Sequence, residues 1–131
     1  MPMYSKVGEL ISAFGAFPDG ASYLAYIEDH VIPCVVALAT SMTKDLLWKP
    51  LNHKLLMMTR EKNKHLRVAA IKILNQLFHE VGEEYLLLLP ECLPFISELI
   101  EDEDETVLSL TVEMVKFIEN LSGESLDQYF Q

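Results

Sequence analysis

The chain has 131 residues, about half of them hydrophobic, and a formal net charge of -10. That length suits one domain with a sizeable core. The acidic balance argues against a simple nucleic-acid clamp, which carries a basic excess. With no apolar run long enough to cross a bilayer and no secretory signal in residues 1–7, the chain reads as soluble.

The first forty residues are the least regular. A short helix is expected at about 6–14, and Asp19-Gly20 marks a turn. Residues 23–39 read as the first helix of a pair, with Pro33 ahead of Cys34. Cys34 and Cys92 lie in apolar runs near prolines and are expected to be buried, reduced thiols.

From residue 48 onward the pattern is helical and doubled. Residues 48–58 are apolar, with Pro50 near their start. A charged loop at 60–64 follows, and then a helix at 65–81. In that helix Leu66, Ala70, Ile73, Leu77 and Val81 form one stripe. Asn63 suits its N-cap and Gly82 its end. The unit then recurs: an apolar helix at 85–100 containing Pro90 and Pro94, a charged loop at 101–105, and a helix at 106–121. Asp104 suits the N-cap of that last helix, Glu105 its positive end and Gly123 its stop.

The shift that carries Leu66 onto Val107 also carries Ile73 onto Met114, Leu74 onto Val115 and Leu77 onto Ile118. A period near forty, with proline in the first helix and charge in the turn, is the pattern of HEAT-type helix pairs. One such pair cannot cover its own apolar face, so pairs stack. The expected fold is all-α, an α-solenoid of HEAT-like antiparallel helix pairs. It forms a single domain over 1–131, with pairs at about 48–82 and 85–122 and a C-terminal cap at 123–131. The expected core includes Leu55, Ala70, Ile73, Leu77, Leu99, Met114 and Ile118.

Several runs carry a more specific resemblance. They are Leu47-Trp48-Lys49-Pro50-Leu51-Asn52; Thr59-Arg60 followed by Leu66-Arg67-Val68-Ala69-Ala70; Tyr85 with Leu88-Leu89-Pro90-Glu91; Pro94-Phe95-Ile96-Ser97-Glu98-Leu99-Ile100-Glu101-Asp102; and Gly123-Glu124-Ser125-Leu126-Asp127-Gln128-Tyr129-Phe130. In this order, over about a hundred residues, they resemble the C-terminal domain of the HEAT repeat-containing protein 1 family. These are very large nucleolar scaffolds of the small-subunit processome. The resemblance implies a non-catalytic scaffold module of ribosome biogenesis, located in the nucleus and nucleolus. It also implies association with protein subunits of a pre-ribosomal particle, in support of pre-rRNA transcription and 18S rRNA processing. The family's proteins carry a long solenoid ahead of this domain, and this chain does not contain it.

Chemistry is hard to find in the sequence. His30 and Cys34 share a helical spacing, but no second ligand pair joins them to make a four-ligand zinc site. The run Asp102-Glu103-Asp104-Glu105 lacks the glycine and ligand spacing of a calcium loop and reads as a solvated turn. No phosphate loop, nucleophile elbow or catalytic acid–base pair is recognisable. The expectation is therefore no enzyme, no cofactor, no metal, no small-molecule substrate and no membrane partner.

The charge distribution is more informative. Eight of the ten basic residues fall between Lys44 and Lys72, and fourteen acids follow from Glu80 onward against Lys116 alone. Lys49, Lys54, Arg60, Lys62, Lys64 and Arg67 are the candidate contacts to a protein partner or to RNA, either pre-rRNA or small nucleolar RNA. The competing reading of this zone is an ordinary solvated turn. At the level of function, the alternatives are a direct RNA-contacting module and a generic HEAT-repeat adaptor outside ribosome assembly.

Overall fold

The computed structural model describes residues 19–41 and 45–126. Among them the chain forms α1 (Gly20–Tyr26), a π-helical segment (Ile27–Val31), α2 (Ile32–Ser41), α3 (Asp45–Met58), α4 (Lys64–Val81), a 3-10 segment (Gly82–Leu88), α5 (Leu89–Leu99) and α6 (Glu105–Ser122), with no strand.

The expected doubling is visible in the backbone. α4 and α6 are 18 residues long each, and the start of α6 at Glu105 falls on the start of α4 at Lys64 in the repeat register. The side chain of Asn63 caps α4 by accepting from the His65 N–H, and Asp104 caps α6 by accepting from the Val107 N–H. Each cap satisfies one of the amide groups that a helix start leaves without a partner. Both helices end at a glycine with positive φ, 77° at Gly82 and 78° at Gly123. A side chain would strain the backbone there.

The apolar helix expected at 85–100 is instead split in two, for a local reason. Pro90 has no N–H to offer the Leu86 carbonyl. The Leu89 N–H takes that carbonyl, and this i→i+3 bond winds the segment as a 3-10 helix. α5 then starts with Pro90 in its first turn, where the missing donor costs nothing.

α4 is central. It packs against α1, α2, α3, the 3-10 segment and α6. α3 meets α5, and α5 meets α6. Each first helix is joined to its second by a short turn, at 59–63 and 100–104, and packs on it, so the members of a pair run antiparallel. The helix expected as the first of an upstream pair is placed differently. α1 and α2 lie against α4, so they flank it as α6 does and occupy the layer of the second helices.

The stripe that docks α1 and α2 is Tyr23, Ile27, Val31 and Val35, all buried. A period of four drifts by about 40° per step on an α-helix. The π turn at Ile27–Val31 holds more residues per turn, which reduces that drift and keeps the four side chains on one face. Where the helix starts, Gly20 lies directly against the His65 ring, with no room for a Cβ.

All seven expected core residues are buried, and so are Trp48 and Phe78. Leu126 is buried as well, its N–H bonded to Glu119 Oε2 at 2.7 Å. The helix expected at 6–14 and the apolar pair Tyr129 and Phe130 lie outside the described residues.

One of the two thiols differs from expectation. Cys92 is buried but Cys34 is exposed, because the π-bulged helix turns Val31 and Val35 inward instead. Burial pushes the Cys92 thiol up to about 12. An unfolded thiol ionises near ~8.5, so Cys92 adds nothing to pH dependence below that value. Its preference for the neutral form makes the fold progressively less stable as pH rises from there toward its folded value. A maleimide at neutral pH is expected to modify Cys34 and spare Cys92. Equal modification in a mass-spectrometric time course would contradict this placement.

Candidate functional site

The basic zone of the first helix pair faces the acidic zone of the second. At the turn, Arg60 makes a two-point contact with Glu98, Nε to Oε2 at 2.9 Å and Nη2 to Oε1 at 3.2 Å. Its guanidinium also sits over the Phe95 ring, 4.1 Å from the centroid. Lys64 Nζ lies 3.8 Å from Asp104, and one helix earlier Lys49 Nζ lies 3.5 Å from Glu91.

Arg67 is the most deeply engaged of these cations. Its side chain is 18% exposed and that of Asp102 is 13% exposed. Nη1 donates to the carbonyls of Glu61 and Lys62, and Nη2 to Asp102 Oδ1 at 3.3 Å. Nε lies 3.0 Å from Asp102 Oδ2 but out of line for a hydrogen bond, so that contact is Coulombic. Arg67 thus ties off its own turn and grips the next one. Asp102 in turn accepts from the Asp104 N–H, so this end of the acidic run is a half-buried structural element. It is not the solvated turn that the acidic run leads one to expect.

Four of the six candidate contacts are therefore paired within the chain. Lys54 and Lys62 are exposed and form no ion pair among the described residues. The sequence reading missed Glu91, Phe95, Glu98, Asp102 and Asp104 as partners of the basic zone. A signal was present: Arg67 reaches Asp102 and Arg60 reaches Glu98 across separations of 35 and 38 in the chain, close to the repeat period.

The other edge of the seam is aromatic. Phe78 meets Tyr85 edge to face at 4.9 Å, and His79 stacks on Phe117 at 3.6 Å. Tyr85 donates to buried Asn52 Oδ1 at 2.9 Å, and the Cys92 thiol reaches the same oxygen at 3.6 Å. Burial also raises the Tyr85 hydroxyl well above its ordinary value. This polar cluster joins α3, the 3-10 segment and α5 inside the core.

Several hollows lie along the described surface, one of them at the turn itself between Arg60, Arg67, Glu98 and Asp102, and two others lie away from it. One of about 400 Å³ is lined by Glu28, Ile32, Ile71, Lys72, Asn75, Gln76 and Leu110, with Lys72 ion-paired to Glu28. The other, about 190 Å³, lies between Trp48, Lys49, Leu88 and Glu91, beside Leu87, which is 71% exposed. Neither brings a nucleophile together with a base. Among the described residues no three His, Cys, Asp or Glu side chains converge as metal ligands, and no helix is long and apolar enough to cross a membrane. The arrangement offers surfaces, with its strongest polar groups committed to holding one helix pair on the next.

No family model matches the chain. It is 38% identical over 104 residues, 79% of its length, to HEAT repeat-containing protein 1 of Homo sapiens. It is 37% identical over 109 residues, 83% of its length, to the protein of the same name from Danio rerio. Over 123 residues, 86% of its length, it is 38% identical to U3 small nucleolar RNA-associated protein 10 of Aspergillus fumigatus. The chain spans 5% of the length of the first two and 7% of the third.

Proposed function

We propose that this chain, a relative of HEAT repeat-containing protein 1 over 79% of its length, is a non-catalytic scaffold segment that joins a ribosome-assembly particle. The observation that carries the reading is that similarity, together with a relative whose name ties it to U3 small nucleolar RNA. Two helix pairs in repeat register, with a third helix in the same layer, support a HEAT-type solenoid in one domain over 1–131. On this reading the chain works in the nucleus and nucleolus, within the small-subunit processome, and its partners are protein subunits of the particle.

The pairing of Lys49, Arg60, Lys64 and Arg67 with acids of the next helix pair favours a protein-held association over an RNA clamp. Phosphate would have to displace carboxylates already in place. Lys62 at the turn and Lys54 on helix α3 contribute a secondary contact. Reversing Arg60 or Lys64 is not a clean probe of that contact, because Arg60→Glu would face Glu98 and Lys64→Glu would face Asp104. Reversal of Lys54 and Lys62 avoids this.

The expected result is that the tagged chain sediments with nucleolar pre-ribosomal particles. The double variant Lys54→Glu/Lys62→Glu should bind more weakly, with a salt slope lower by up to about two charges. If the parent never sediments with the particle, the ribosome-assembly reading fails. If parent and variant sediment equally at both low and high salt, Lys54 and Lys62 are solvated and make no contact. Release of the parent by RNase would favour the RNA-contacting alternative.

A further inference from the structure

The repeat register allows α6 to be compared position by position with α4, a helix that has neighbours on both sides. On α4, Val68, Ile71 and Phe78 are buried. Their counterparts on α6 are Ser109, Val112 and Glu119. Ser109 is exposed, Val112 is 38% exposed, and Glu119 spends its carboxylate on the Leu126 N–H. Glu113, Lys116 and Asn120 complete a polar outer face. A helix awaiting another neighbour would keep apolar groups at all three positions, and α6 keeps one of them, Val112.

The charges change in the same direction, and this is a separate observation. The first pair reaches the second through Arg60, Lys64 and Arg67. One repeat further on, the same positions hold Glu101, Glu105 and Leu108. The second pair thus presents no cation at the positions from which a following pair's carboxylates would be gripped. Docked there, a further unit of the same kind would place its acids against Glu101 and Glu105.

We propose that the pair α5–α6 is the closing unit of the stack, and that its outer face is a solvent-facing cap on which no further helix pair, from this chain or from a second copy, docks. Terminal units of helical arrays need such a polar outer face, since an apolar one would recruit copies without limit. The proposal rests on the stacked-array reading above, and the test separates the two.

In the full chain carrying Cys34→Ser, single cysteines are introduced as Ser109→Cys and Val112→Cys on the outer face, and as Val68→Cys and Ile71→Cys at the matching positions of α4. Maleimide labelling is followed from dilute to concentrated protein. Far-ultraviolet circular dichroism establishes that each variant is folded. S109C and V112C are expected to react as fast as an exposed control thiol at every concentration, and V68C and I71C more than about tenfold more slowly. Protection of S109C and V112C that grows with concentration would overturn the cap, because another copy would then be covering it. Fast labelling at all four positions would instead show that the pairs do not stack, and the array reading would fall with it.

Discussion

Leu77→Ala is expected to lower the free energy of unfolding by about 2–5 kcal/mol. Leu77 is fully buried on α4, the helix that touches both layers, and its repeat counterpart Ile118 is equally buried. Truncation removes apolar transfer energy and leaves a cavity between several helices. Such a cavity cannot close by the movement of any one of them. A denaturant titration reads the effect as a lower midpoint at unchanged slope. A loss under about half a kcal/mol would mean that Leu77 does not face the core.

Arg67→Ala is expected to cost about 2–4 kcal/mol, a little under the figure for breaking a fully buried ion pair, because some water reaches both partners. The variant strands Asp102 in a half-buried position and leaves the Glu61 and Lys62 carbonyls without their donor. A double-mutant cycle with Asp102→Ala isolates the pair. The two losses should add to clearly more than the loss of the double variant. Simple additivity within the error of the titrations would show that Arg67 acts through its own turn alone and does not hold the second pair.

What the sequence made legible is whatever is local or periodic. Asn63 and Asp104 cap, and Gly82 and Gly123 terminate, because each acts within a few residues of its own helix end. The buried stripe from Ala70 to Leu77 follows from spacing alone. The split of 85–100 was missed because Pro90 was read as a tolerated interruption, whereas its missing donor rewinds the preceding turn. The layer of α1 and α2 was misread because a buried stripe says that a helix docks and not which helix receives it.

The candidate contacts were legible as a charge imbalance, but their engagement was not. Lys49, Arg60, Lys64 and Arg67 look available in a linear reading because Glu91, Glu98, Asp104 and Asp102 all lie about one repeat further along the chain. Only the folding of one pair onto the next brings them together. The competing reading of the zone makes it an ordinary solvated turn. Arg60, which bridges Glu98 and covers Phe95, does not fit it.

The seam between the pairs has two unlike edges. Arg60, Lys64 and Arg67 hold the turn edge by charge, whereas Phe78, Tyr85, His79 and Phe117 hold the opposite edge by ring contacts. Mobile ions weaken the partly exposed charge pairs and leave the ring contacts almost untouched. Salt therefore loosens the exposed rim of the turn edge at Arg60 and Lys64, while Arg67 and Asp102, both less than one-fifth exposed, stay paired and keep that edge joined.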